Sequence, residues 1–123
     1  MIVIDYQDKR PIYEQIIDRF QMLILNGALE PDTQLPSVRS LAMELAINAN
    51  TIQRAYSELE RRGLIYSVKG RGNFVSAQKD VVQEQQELLL EDLRAQLKIC
   101  KESGIKFTHV LDCVHEIFQE VKV

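Results

Sequence analysis

Residues 37–62 read SVRSLAMELAINANTIQRAYSELERR, and this stretch decides the fold. Ser37 is a plausible N-cap, since its hydroxyl can accept from a free backbone N–H of the first turn. A short helix is expected from there through Ala46, with Val38, Leu41, Ala42 and Leu45 at helical spacing. Ile47 faces inward from a turn. Asn48 can cap a further helix that runs to about Arg62. Its core stripe is Ile52, Ala55, Tyr56 and Leu59. At about 100° per residue the opposite face carries Asn50, Arg54, Ser57 and Arg61, with Thr51 and Gln53 on the flanks. Gly63 closes this helix.

Working toward the N-terminus, Pro11 opens another helical pattern, where its missing N–H costs nothing. Ile12, Ile16, Phe20, Leu23 and Ile24 form its stripe, with Tyr13, Ile17 and Leu25 beside them. Gly27 ends it. Residues 2–6 suit an edge strand or an extended arm. Residues 28–36 contain Pro31, Asp32 and Pro36 and are expected to form a loop. In the other direction, Leu64–Val68 alternates as a strand. Lys69-Gly70-Arg71-Gly72 is a tight basic turn, and Asn73–Ser76 returns as a second strand. Helix, short helix, turn, helix, hairpin is the order of a winged helix-turn-helix.

Residues 77–87 are polar and suit a solvated linker or an exposed helical start. A fourth helix to about Ser103 carries Leu89, Leu90, Leu93, Leu97 and Cys100 on one stripe. Gly104 breaks it. A fifth, about Lys106–Val121, carries Phe107, Val110, Leu111, Val114, Ile117, Phe118 and Val121. Two such helices are too few to bury both stripes, and a second copy of the chain is the expected remedy. The expected fold is mainly α with a small β-hairpin. It is a winged helix-turn-helix over residues 1–76, followed by a two-helix dimerisation tail over 77–123. The dimerisation residues are expected to be Leu89, Leu93, Leu97, Phe107, Val110, Leu111, Val114, Ile117 and Phe118.

The 123 residues are 46% hydrophobic and 27% charged, the balance of a globular chain rather than a disordered one. No apolar run reaches the roughly 18–20 residues of a membrane helix. Neither a basic leader nor a small-residue cleavage site follows Met1, so a cytoplasmic location near the nucleoid is expected. Cys100 and Cys113 cannot make a disulfide framework. The net charge of −3 argues weakly against nucleic acid. Its distribution argues the other way. Residues 77–123 hold the whole deficit, while residues 36–76 carry six basic and three acidic side chains. A local basic surface can bind phosphate on an acidic protein.

The third helix has the chemistry for a DNA major groove. Arginine can bond two guanine acceptors and asparagine can do the same for adenine. Arg39 could clamp a phosphate or a guanine, and Lys69 and Arg71 could grip a minor groove or its phosphates. One polar residue on an exposed face is more simply read as solvated. Cations recurring in three elements that a winged helix puts on one surface are not. Arg61 and Arg62 are weaker candidates, because Glu58 and the helix C-terminus can account for both. His109 and Cys113 are four apart and could supply two zinc ligands, but a structural site usually takes four. A solvated His and a semi-buried Cys are the simpler reading. Glu58 and Glu60 point to different sides of their helix, and no nucleophile arrangement, P-loop or dinucleotide fingerprint is present. Neither cofactor nor enzymatic activity is expected. Two rivals stand beside DNA binding, a winged-helix protein–protein adaptor and a small metalloenzyme built on His109 and Cys113.

Several motifs together resemble the GntR family of bacterial transcription regulators. They are Pro-Ile-Tyr-Glu-Gln at 11–15, Leu-Pro-Ser-Val-Arg-Ser-Leu-Ala at 35–42 and Asn-Thr-Ile-Gln-Arg-Ala-Tyr at 50–56. Leu59-Glu60, Gly63-Leu64-Ile65 and Gly70-Arg71-Gly72-Asn73-Phe74-Val75 complete the set. The match covers about residues 9–76, and the short tail resembles the YtrA subfamily. The resemblance implies a homodimeric, sequence-specific DNA-binding repressor acting on a palindromic operator. The family's arginine after the Pro-Ser motif falls on Arg39. Its recognition-helix contacts fall on Asn48, Ala49, Asn50, Thr51 and Gln53, and its wing glycine on Gly72 beside Arg71. Ala49 departs from the many relatives with arginine there, and Asn73 replaces a usual threonine. With the residues read directly, the expected DNA-contact set is Ser37, Arg39, Asn48, Ala49, Asn50, Thr51, Gln53, Arg54, Lys69, Arg71 and Gly72. The tail's stripes are needed for packing, which leaves no room for an enclosed effector pocket in one chain. A pocket at a dimer interface stays open.

Overall fold

The computed structural model describes residues 2–77 and 79–119. Five helices and one hairpin follow in the order α1 (Ile12–Leu25), α2 (Val38–Leu45), α3 (Ala49–Arg61), β1 (Ile65–Val68), β2 (Gly72–Val75), α4 (Lys79–Glu102) and α5 (Phe107–Gln119). They fall into two compact units, Met1–Gln85 and Gln86–Val123, with the division inside α4.

The first unit is built around α3. Ile52, Ala55, Tyr56 and Leu59 are all buried, as the helical spacing of the stripe requires. They meet Ile16, Ile17, Phe20 and Ile24 from α1, Leu41 and Ala42 from α2, and Leu64, Ile65 and Val75 from the wing. Each of the Val, Leu, Ile and Phe side chains among them contributes about 1.5–3 kcal/mol on leaving water. Phe20 and Tyr56 meet edge to face with ring centroids 5.7 Å apart. The Tyr56 hydroxyl donates to the Pro36 carbonyl at 2.7 Å, which satisfies the one polar atom that this buried ring carries. Burial also raises the hydroxyl's pKa above its ordinary value.

The helix ends follow their capping residues. Ser37 Oγ accepts from Ser40 N at 3.0 Å at the start of α2, and Asn48 Oδ1 accepts from Asn50 N at 2.7 Å at the start of α3. Between them Ala46 holds the left-handed conformation, with φ +55° and ψ +45°, at the turn where α2 stops. Pro11, expected inside α1, is instead its N-cap residue; its carbonyl accepts from Glu14 N and Gln15 N.

Of the two readings of the N-terminal segment, the arm holds: residues 2–5 form no strand. Gln15, a polar residue buried in α1, holds this arm: its Oε1 accepts from Asp5 N at 2.9 Å and its Nε2 donates to Asp5 O at 3.1 Å. Two other segments differ from expectation. The 28–36 segment is more than a loop. Asp32 N donates to Val75 O, Val75 N to Thr33 O and Leu35 N to Asn73 O, and Gln34 bridges Phe74 antiparallel. The segment thereby lies along the free edge of β2. The hairpin register is Ile65 with Val75 through Val68 with Gly72, so β1 begins one residue later than expected.

Helix begins at Lys79 in the segment expected as linker or helical start, and Val81 packs against the core of the first unit. In the second unit, Gly104 at φ +87° separates α4 from α5. No described residue of α4 or α5 is buried within the chain. Phe107 is 76% exposed and Phe118 79%. Val121, expected in the fifth helix, lies outside the described residues.

Tyr56→Phe should cost about 1–3 kcal/mol, because it leaves the Pro36 carbonyl without its partner while removing no apolar area. Urea unfolding of both forms checks this, with the midpoint expected to fall and the slope to stay the same.

Candidate nucleic-acid interface

Three elements present the expected contact residues. On α2, Arg39 is exposed one residue past the start of the helix, and Ser37 is exposed at the cap. On α3, Asn48, Ala49, Asn50, Gln53 and Arg54 are exposed and Thr51 is half-buried. At the wing tip Lys69 and Arg71 are exposed and Gly72 is half-buried. Among the described residues, Arg39, Lys69 and Arg71 have no ion-pair partner. Such cations are available to phosphate or base acceptors.

The elements are fastened to one another. α2 packs on α3 through Leu41, Ala42 and Ile52 within the common core. Ser67 Oγ on β1 donates to Glu60 Oε2 on α3 at 2.8 Å. The tip turn closes with Arg71 N donating to Val68 O at 2.9 Å, and Gly70 takes the turn's third position at φ +78°. Tyr66 stacks on Phe74 and donates its hydroxyl to Asp32 Oδ1 at 2.7 Å, so the wing is braced against the 28–36 segment.

Other polar residues of α3 are engaged within the chain. Gln53 Nε2 donates to Ser57 Oγ at 3.2 Å, one turn on along the exposed face. Arg54 is turned toward α1, with its guanidinium 3.7 Å from the Tyr13 ring centroid. Arg61 and Arg62 both grip Glu58, at 2.6 and 2.7 Å, and Arg62 Nη1 also donates to Gln21 Oε1 at 2.7 Å. These two arginines therefore fit the structural role that the sequence allowed them. The sequence offered no sign of Tyr13 or Gln21 as partners, because both lie on α1, more than thirty residues away.

An open cleft of about 630 Å³ runs between α1 and α3, with Tyr13, Ile17, Arg54 and Ser57 in its lining. Two of its carboxylates are paired, Glu58 with two arginines and Asp18 with Arg10. His109 and Cys113 on α5 are both exposed, although Cys113 was expected to be partly covered. Among the described residues, no group of three or more His, Cys, Asp or Glu side chains is placed to hold a metal ion. No helix among them is long and apolar enough to cross a membrane.

A capped helix pair with exposed Arg, Asn and Gln, followed by a cationic hairpin, defines a winged-helix DNA-binding protein. Residues 12–75 match the family profile described as bacterial regulatory proteins, gntR family. The chain is 37% identical over 124 aligned residues to the HTH-type transcriptional repressor YtrA of Bacillus subtilis (strain 168), covering 99% of this chain and 95% of that one. A solved GntR family transcriptional regulator from Listeria monocytogenes superimposes with a TM-score of 0.78 at 32% identity, covering 92% of this chain and 98% of that chain. The DNA-binding domain of AraR, solved in complex with operator ORE1, aligns with a TM-score of 0.53 at 29% identity over 62% of this chain and 93% of that chain. This chain belongs to the GntR family, and it is a DNA-binding transcription regulator, not an enzyme.

The Glu58 cluster gives a pH-dependence of known sign. Hydrogen bonds from Arg61, then Arg62, hold the Glu58 carboxyl at about 2, below its ordinary 4.5. Its contribution is fully present above pH 4.5 and is lost as pH falls toward 2. Arg61 is mostly exposed, so the gain is no more than about 1 kcal/mol. Thermal melts should place Glu58→Gln below the parent at pH 7, with the gap shrinking between pH 4.5 and 3.

Proposed function

We propose that the chain is a homodimeric repressor that binds a palindromic operator sequence-specifically in the cytoplasm. The observation that carries the reading is the set of unpaired cations, Arg39 on α2 and Lys69 and Arg71 on the wing, flanking the exposed polar face of α3. Residues 1–76 bind DNA and residues 77–123 dimerise. The N-terminal part of α3 enters a major groove, where Asn50, Thr51 and Gln53 reach base edges or phosphates. Asn48 and Ser37 hold the two helix starts, where backbone N–H groups and the hydroxyl meet phosphate. Ala49 brings no cation and lets the backbone approach closely. Lys69, Arg71 and Gly72 follow the neighbouring minor groove. Arg54 adds charge beside the site while stacked on Tyr13.

Dimerisation is supported by the exposed stripes of α4 and α5. Leu89, Leu93, Leu97, Phe107, Leu111, Val114, Ile117 and Phe118 are all at least 39% exposed, and Val110 is half-buried. So large an apolar surface marks an interaction site. A twofold dimer places two α3 helices about one helical turn of DNA apart, which is why a palindrome is the matching site. Occupying a promoter excludes polymerase, and the similarity to a repressor supports that sign of control.

Anisotropy titration against duplex from upstream of the chain's own gene, at two salt concentrations and with unrelated duplex as control, tests the reading. Selective binding that falls steeply with salt is expected; equal weak binding on both duplexes would favour the adaptor reading. Arg39→Ala should cost roughly 1–3 kcal/mol of operator affinity without a change in melting temperature. Replacing Val114 and Phe118 by Glu should convert the dimer to a monomer in analytical ultracentrifugation. A dimer that survives this change would refute the assigned interface.

A further inference from the structure

Gln34 lies outside the contact set above, yet it reaches the wing at its tip. Its Nε2 donates to the Arg71 carbonyl at 2.8 Å, across 37 residues of sequence. Its backbone bridges Phe74 antiparallel, and the next residue's N–H donates to Asn73 O at 2.8 Å. Gly72 sits between these anchor points. A Cβ added at Gly72 would stand 2.9 Å from Gln34 Nε2, and the residue's φ of +123° already favours glycine. Gly72 is thus the gap that admits the Gln34 amide. A local hydrogen bond, Arg71 N to Val68 O, closes the turn itself. Three residues after Gln34 comes Ser37, the cap of the helix that carries Arg39.

We propose that Gln34 is a positioning residue for DNA binding. Its amide latches the wing tip to the segment leading into α2, so that Lys69 and Arg71 are held at a fixed offset from Arg39 and α3. This rests on the reading of the chain as a binder of duplex DNA. A two-stranded hairpin is marginal by itself, and a tip ordered before binding has less freedom to lose on the duplex. One neutral hydrogen bond supports an effect of about 3- to 10-fold. Gly72 serves the same latch, whether or not DNA touches it.

Gln34→Met keeps the length of the side chain and removes the donor. Backbone ¹⁵N order parameters of Gly70, Arg71 and Gly72 in the free, full-length chain should fall, with the melting temperature unchanged. Affinity for duplex from upstream of the chain's own gene should drop about 3- to 10-fold. In a Lys69→Ala, Arg71→Ala background the same change should cost nothing, because the latch acts through those cations. Gly72→Ala should loosen the same amides, since its Cβ displaces the Gln34 amide. Unchanged order parameters in Gln34→Met overturn the proposal. So does an equal affinity loss in both backgrounds, which would mean that Gln34 touches DNA itself. If the parent chain bound no duplex, the DNA reading would fall separately, and the order parameters would still decide whether Gln34 latches the tip.

Discussion

The hydrogen bond from Tyr56 to the Pro36 carbonyl, inside the contact of Tyr56 with Phe20, is the constraint on which the DNA-binding unit depends. One side chain does three things at once. It fills the centre of the core between α1 and α3. It fixes the chain just before Ser37, which sets where α2 begins. It also leaves its own buried hydroxyl paired rather than stranded in the interior. A different apolar ring could supply the packing but not the second constraint.

From that anchor the contact elements inherit their places. The 28–36 segment runs from the end of α1, along β2, to the cap of α2, so the wing and the helix pair share one stretch of backbone. Glu60 and Ser67 join α3 to β1, and Tyr66 joins β1 to Asp32. Among the described residues, Arg39, Lys69 and Arg71 have no ion-pair partner, while Glu60, Ser67, Tyr66 and Asp32 of the frame beneath them are bonded to one another in pairs. Arg54 shows the division: it has the right chemistry and exposure for DNA, but Tyr13 already holds its guanidinium.

Much of this is legible in the residue order, and the reason is physical. Helices with one buried face write that face at a fixed spacing, so the spacing alone assigns Ile52, Ala55, Tyr56 and Leu59 to the core. Ser37, Asn48 and Gly63 announce helix ends because capping is a local interaction. What escapes is long-range and polar. Gln15 clasping Asp5, Gln34 reaching Arg71 and Arg54 covering Tyr13 each depend on one partner that the spacing of neither residue reveals. The pairing of 28–36 with β2 is hidden by two prolines that read as loop. The tail is the opposite case. Its stripes are plain in the sequence, and the structure of one chain leaves them uncovered, because what buries an amphipathic helix need not be in the same chain.

The pairing of residues 32–35 with β2 also decides how the wing comes apart. With that segment in place, β2 is an inner strand with neighbours on both sides. Separating it breaks bonds to a stretch whose next residues are Pro36, held by Tyr56, and the cap of α2. The wing therefore belongs to the same cooperative opening unit as the helices, not to a hinged flap that exchanges on its own. The Val75 amide proton, bonded to Thr33 O, is exposed only when that unit opens. The covered edge of β2 is also withheld from the strand-to-strand association that an exposed hairpin invites.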